Sequence, residues 1–430
     1  MSAEAHEAHL PEWLLPADAS RDAAVLIAAR TVRAFGDGFV SVLLPLYLTQ
    51  LGFSSLRIGA VATTTLLGSA ALTLVVGLQA YRLRRRPLLT GAALLMAATG
   101  LGFASIHSFW PLLLVAFVGT LNPSAGDVSI FLPLEQALLP QTVSDRQRTS
   151  LFARYGLAAS LSGAIGALAA GLPALAVAHS GISLMRALQG MFLLYGLLAL
   201  IALLLYRRLT PAIEPHESTP ASPLRESKRI VYTMAALFSL DSFGGGFVVQ
   251  SLLALWLFER FHLSAATAGT IFFWSGVLSA VSYPMAARIA RKIGLVRTMV
   301  FSHLPSNLFL ILVPLMPSLA PAIALLLVRS FLSQMDVPTR NSYVMAVVSP
   351  AERPAAASVT SVPRSLATAS SPLLSGWLLG LSAFGWPLVI GGALKAIYDL
   401  LLLAMFASVR PPEESGVDRH SEPKKARTPR

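Results

Sequence analysis

The 430-residue chain contains no cysteine. That excludes disulfides, thiol redox chemistry and cysteine-ligated metals, and leaves the compartment open. Charge is scarce as well: 13% of residues are charged, where a soluble domain carries about a quarter. With 55% hydrophobic residues and a mean hydropathy of +0.66, the chain has too little polar surface to cover itself in water. A bilayer is its expected solvent.

Other absences narrow the function. The opening stretch MSAEAHEAHLPEWLLPADASRD has its first base at Arg21 and no apolar run directly behind a basic leader, so residues 1–21 read as a short cytoplasmic tail rather than a signal peptide. No closed-barrel alternation of apolar and polar residues occurs, which leaves helices as the spanning element. No nucleotide-binding loop and no metal-ligand spacing is present. Seven histidines (His6, His9, His107, His179, His216, His262 and His420) fall in tails or near connectors, and only His303 sits inside an apolar run. A membrane enzyme would need catalytic groups clustered at one face. No enzymatic activity, cofactor or metal is therefore expected.

Twelve apolar runs are present, near 24–50, 57–80, 88–106, 110–139, 150–178, 185–206, 231–257, 264–287, 298–316, 319–347, 355–382 and 386–408. A spanning helix needs about 20 mostly apolar residues. The expected fold is an all-α membrane protein of twelve transmembrane helices. The net charge of +12 would suggest nucleic acid in a soluble chain, but here the bases lie in short connectors. With both termini inside, inner connectors and the C-terminal tail hold 22 bases and outer connectors hold Arg57, Arg186 and Arg260. This asymmetry sets an orientation with both termini cytoplasmic, in a cell inner (plasma) membrane, and no nucleic-acid partner.

Residues 207–229 form a Pro/Ser-rich, charged linker that divides the runs six and six. This predicts an N-terminal six-helix bundle over 22–206, a C-terminal bundle over 230–408 and a basic cytoplasmic tail over 409–430. The halves resemble each other. Arg33–Phe39 (RAFGDGF) matches Asp241–Phe247 (DSFGGGF) at an offset of 208. Gly59 matches Gly269, and Ser69-Ala70 matches Ser279-Ala280, at 210; Asp145-Arg146 matches Glu352-Arg353 at 207. Two parallel six-span repeats can rock about a site near the midplane.

This layout resembles the major facilitator superfamily (MFS). Its signature loop, Gly-x-Leu-Ala-Asp-Arg-x-Gly-Arg-Arg, is similar to Gly77–Arg86 (GLQAYRLRRR), with Gly77, Ala80, Arg82, Arg85 and Arg86 matching. Gly294 and Arg297 match in the second half. Tyr81 and Arg291 stand where the family has its acid, so the loops read either as gating elements without the usual acidic lock or as positive-inside anchors. The Gly-Pro element of drug antiporters is missing from Gly163–Gly171. The resemblance implies a secondary transporter working by alternating access, acting as a monomer on a small-molecule substrate, coupled to protons. Export of an amphiphilic or toxic compound is the first expectation and uptake of a metabolite the second. A non-transporting receptor or scaffold is the different-class alternative.

Charges inside the spans are candidate functional groups because each costs several kcal/mol unless paired or hydrated. The acids are Asp37, Asp127, Glu135, Asp241, Asp336 and Asp399, and the bases Arg154, Arg329, Arg340, Arg364 and Lys395. In the resembling family spans 1, 4, 7 and 10 line the cavity. Asp37 and Asp127 are then expected proton or cation sites, with an i,i+4 pair to Arg33 as the alternative for Asp37. Asp336 and Arg340, joined by Arg364, read as a gate cluster or as substrate contacts, so that Asp241, Asp336 and Arg340 stand with Asp37 and Asp127 as candidates for the proton or substrate site. Asp241 is expected to pair with Arg33 across the halves, Glu135 with Arg154 between spans 4 and 5, and Lys395 with Asp399 along span 12. Phe39 and Phe247, with Phe35, Tyr47, Phe243, Trp256 and Tyr343, either line an apolar pocket or pack. Pro45, Pro123 and Pro338 are expected to kink spans 1, 4 and 10.

Overall fold

The computed structural model describes residues 15, 18–79, 84–124, 129–144, 147–214, 224–349 and 352–406. Each apolar run is a helix or a pair of helices. Spans 1 to 3 are Arg21–Gln50, Ser55–Gln79 and Arg85–Ser105. Span 4 is Phe109–Val118 followed by Phe131–Leu138, and span 5 is Arg148–Leu168 followed by Leu172–Ser180. Span 6 is Leu184–Arg207, and span 7 is Lys228–Gly246 with Gln250–Phe261. Spans 8 and 9 are Ala265–Ile293 and Leu295–Leu312, span 10 is Leu319–Ser333 with Asp336–Val347, and spans 11 and 12 are Arg353–Leu381 and Trp386–Phe406. Among the described residues nine helices are long and apolar enough to cross a membrane unaided. Spans 4 and 10 fall short because each is broken. Span 11 is long enough, but its first half is rich in serine, threonine and arginine.

The prolines divide on position. Pro123 lies in the break of span 4, and Pro338 sits in the first turn after the break of span 10, where its missing N–H has no helical acceptor to lose. Pro45 stays inside a continuous helix.

The two halves are built alike. Span 1 packs on spans 5 and 6, span 3 on span 6 and span 2 on span 4. Span 7 packs on spans 11 and 12, span 9 on span 12 and span 8 on span 10. Between the halves, span 2 meets span 11, span 5 meets span 8 and span 1 meets span 7.

The repeated glycines explain how these contacts form. A Cβ on Gly38 would strike the backbone of Gly163 in span 5, and one on Gly246 would strike Thr368 and Ser371 in span 11. Gly59 lies against Pro372 and Gly376 of span 11, and its counterpart Gly269 against Ala167 of span 5. Small residues let backbones approach where no hydrophobic effect drives helices together in lipid. Gly59, Gly269 and Gly376 occupy the end of the bundle away from the basic connectors, and there the halves close on each other. Leu373 N–H donates to Thr63 Oγ1 (2.8 Å) and Ser55 Oγ to Glu259 Oε1 (2.7 Å) at the same end.

At the basic end, acidic side chains cap helix starts. Glu214 accepts from the backbone N–H groups of Arg85 and Arg86 (2.9 and 2.8 Å). Glu352 accepts from those of Arg225, Glu226 and Ser227 (2.6, 3.0 and 3.0 Å). Carboxylates suit the positive end of a helix dipole.

Candidate functional site

The polar interior is built in two separate clusters, one per half. Span 1 carries Arg30, Arg33 and Asp37 about one turn apart, buried against spans 4, 5 and 6. Arg33 Nη2 donates to Glu135 Oε2 (2.5 Å) and Arg33 Nε to the Tyr206 hydroxyl (2.9 Å). Tyr206 donates to Glu135 Oε1 (2.6 Å) and Tyr155 to Oε2 (2.5 Å), while the Arg33 guanidinium lies 3.9 Å from the centroid of the Phe131 ring. Both carboxylate oxygens are thus satisfied inside one half, the condition under which a buried ion pair is tolerated.

Two sequence expectations are corrected here. Glu135 pairs with Arg33 rather than Arg154, because Tyr155 is the residue of span 5 that faces it; Arg154 is only half-buried. Arg33 does not reach across to Asp241, because span 1 turns this face into its own bundle. Asp37 also has its own partners: the Tyr195 hydroxyl donates to it (3.4 Å), and Asn122 is within hydrogen-bonding reach. Asp127 lies outside the described residues.

The second cluster gathers spans 7, 9, 10, 11 and 12. Lys395 Nζ donates to Asp241 Oδ1 (2.5 Å), and Arg340 Nη1 is shared between Asp241 Oδ2 (3.3 Å) and Asp336 Oδ2 (3.0 Å). His303 stands between two acids, with Nδ1 2.9 Å from Asp399 Oδ1 and Nε2 3.8 Å from Asp241 Oδ1. Asn307 Nδ2 donates to Asp399 Oδ2 (2.8 Å). Arg364 Nε donates to Ser242 Oγ (3.2 Å). The i,i+4 pair Asp336–Arg340 forms as spacing predicts. Lys395 and Asp399 do not pair with each other. They point inward and take different partners on spans 7 and 9, since span 12 packs on both.

Between the halves lies a cavity of about 930 Å³ in the basic-end portions of spans 2, 4, 10 and 11. Leu67, Thr73, Ser129 and Gln136 line it from one half, and Arg340, Ser361, Arg364 and Phe238 from the other. The second cluster therefore reaches the cavity through Arg340. The first cluster supplies no described lining residue.

Phe39 and Phe247 are buried in edge-to-face pairs with Phe35 and Phe243 (5.7 and 5.4 Å) and do not line this cavity; Tyr47, Trp256 and Tyr343 are fully buried in packing. Of the signature-loop residues, Gly77 is helical and Arg82 lies outside the described residues. Arg85 and Arg86 begin span 3 with their N–H groups on Glu214. Gly294 joins spans 8 and 9 with φ +88°, a conformation that favours glycine, and Arg297 is exposed. Sequence reading missed the roles of His303, Asn307, Tyr155, Tyr195 and Tyr206, and left Arg30 and Arg33 out of the intramembrane bases. One signal for the first two was present: the lone intramembrane histidine has an asparagine four residues on.

Comparison with known proteins agrees with this architecture. The model of the Major Facilitator Superfamily matches residues 26–240 and again 231–429. The uncharacterized membrane protein YJR124C of Saccharomyces cerevisiae is 24% identical, over 94% of this chain and 98% of its own length. A crystal structure of a mutant form of the nucleoside transporter NupG superposes with a TM-score of 0.69 at 13% identity, covering 90% of this chain and 100% of that one. A bacterial homologue of the human lysosomal transporter Spinster, inward-facing and occupied, gives 0.68 at 15% identity over 89% and 94%. A bacterial homologue of the iron transporter ferroportin, also inward-facing, gives 0.66 at 16% over 89% and 98%. The chain belongs to the Major Facilitator Superfamily: it is a multi-pass membrane transporter and not an enzyme.

Proposed function

We propose that this protein is a secondary active transporter that carries a small organic molecule by alternating access, coupled to protons. It works as a monomer in the inner membrane with both termini and the 207–229 linker cytoplasmic, the orientation that the basic connectors favour. The cavity then faces the cytoplasm, and the glycine contacts of spans 2 with 11 and 5 with 8 form the closed outer gate.

One observation carries the coupling: Asp241, Asp336, Asp399, His303, Lys395 and Arg340 form a continuous buried network, and among the described residues Arg340 is the member of it that lines the cavity. Asp241 has two cationic partners and Asp336 shares one of them. Protonating either acid releases a donor of Arg340 toward the cavity. Among the candidate acids this favours Asp241 and its neighbours over Asp37 and Asp127 as the proton site. Alternating access converts such a change into vectorial movement.

The test is flux into proteoliposomes holding the purified protein, across a compound panel, with and without an imposed pH gradient. Gradient-dependent accumulation is expected. Asp241→Asn is expected to lose accumulation while retaining exchange of labelled for unlabelled substrate. Transport that ignores the gradient removes proton coupling.

A further inference from the structure

We infer that the substrate is a small organic anion with an apolar body, its charged group held by Arg340 and Arg364, and that it moves in the same direction as the proton. This rests on the transporter reading above and names its substrate class.

The argument starts from the partners of the cations. Lys395 is held by Asp241, and His303 by Asp399. Arg340 serves both Asp241 and Asp336 and stands beside the Tyr398 hydroxyl. Arg364 donates only to the neutral hydroxyl of Ser242 and forms no ion pair among the described residues. Both arginines line the cavity, and no acid is among its described lining residues.

Arg364 is half-buried, and a guanidinium in the wall of a cavity between membrane-spanning helices, with no acid among the described residues hydrogen-bonded to it, is short of a counter-ion. A carboxylate or similar oxyanion supplies that counter-ion and matches the planar fork of arginine donors. A cationic substrate would meet two like charges instead. The remaining described lining fits an apolar body with a few polar points, with Leu67, Leu74, Leu132 and Phe238 beside serine and threonine hydroxyls. A cavity of about 930 Å³ is in the range of small-molecule sites.

The direction follows from sharing. An anion on Arg340 takes a donor that Asp241 and Asp336 now use. The carboxylate so released is left among Tyr398, Asp399 and the other acid, with Lys395 and His303 as its remaining cations, and it gains affinity for a proton from the cavity water. Anion and proton then favour each other's binding, which is positive linkage, and they load and unload together. In a cell with an inward proton gradient this gives uptake, so the export expectation gives way to the second reading.

The experiment measures binding to the full-length protein in lipid nanodiscs by tryptophan fluorescence. The probes are matched acid, amide and amine sets on one body: phenylbutyrate, phenylbutyramide and phenylbutylamine; naphthoate, naphthamide and naphthylmethylamine; octanoate, octanamide and octylamine. In at least one set the acid is expected to bind about tenfold or more tighter than its amide and amine. Arg364→Gln is expected to abolish that preference and Arg364→Lys to retain it. Calorimetry in buffers of different ionisation enthalpy is expected to show proton uptake on acid binding. The inference is overturned if amides or amines match the acids in every set, if no acid binds, if Arg364→Gln keeps the preference, or if binding releases protons. None of these results touches the flux assay. Conversely, acid binding without flux in proteoliposomes would overturn the transport reading and leave the anion site standing.

Discussion

The contact between Gly59 and Gly376 offers a direct handle on the conformational equilibrium. A Cβ placed on Gly59 would lie 2.5 Å from the Pro372 carbonyl oxygen and 2.9 Å from Gly376 Cα. Both are backbone atoms of a packed helix and cannot swing aside as a side chain could. Relaxed carbon contacts lie at about 3.5–4.0 Å, so Gly59→Ala must push spans 2 and 11 apart by about 1 Å. Overpacking of this kind costs about 1–3 kcal/mol, and only the state in which this gate is closed bears the cost. The population of the alternative state should rise by a factor of about 5–150. Because the native chain has no cysteine, spin labels can be placed without removing any residue. Leu56→Cys with Leu381→Cys reports the gate end and Val75→Cys with Ser361→Cys the cavity mouth, all at exposed positions. Pulsed dipolar spectroscopy of Gly59→Ala should show a longer distance in the first pair and a shorter one in the second. Gly91→Ala serves as the control, since a Cβ there meets nothing within 4 Å. If both distance distributions match the parent protein, the gate assignment fails.

Three further outcomes are expected. Glu135→Gln leaves Arg33 buried beside a neutral amide, so thermal unfolding in detergent should show a loss of about 3–5 kcal/mol, whereas the double replacement Arg33→Met with Glu135→Leu should recover much of it; a single variant as stable as the parent would contradict the pairing. The three backbone N–H donors hold the Glu352 carboxyl down from 4.5 to about 2. A lowered folded-state value stabilises above the unfolded one, so the melting-temperature advantage over Glu352→Gln should be full above pH 4.5 and fade as the pH falls toward about 2; an advantage that grows on acidification would refute this. Finally, Asp37→Asn should retain gradient-driven accumulation in proteoliposomes while Asp241→Asn loses it, and the reverse result would return the proton site to the first half.

Sequence alone carried much of the architecture. Apolar runs of spanning length dictate helices, because a backbone in lipid must satisfy its own hydrogen bonds. The repeat was visible in Gly38 with Gly246 and Gly59 with Gly269, and the structure uses the first pair for close approach within each half and the second for close approach between the halves. Asp336 with Arg340 was legible because an i,i+4 pair is a local property of one helix.

Long-range partners were not legible. Arg33 and Glu135 are 102 residues apart, and His303 and Asp399 are 96 apart. Each residue along a helix turns about 100°, so deciding whether Tyr155 or Arg154 meets Glu135 requires knowing which face of span 5 is turned inward. Lys395 and Asp399 show the limit most plainly: their spacing allows a local pair, yet better partners on spans 7 and 9 separate them. What the sequence determined by itself was the inventory of spanning helices, their duplication and the charges buried within them, since these follow from local hydropathy and periodicity. Only tertiary structure decided which charges pair, that Arg364 is left with a hydroxyl, and that Arg340 joins a buried acidic network to the cavity, because those depend on how twelve helices are rotated against one another.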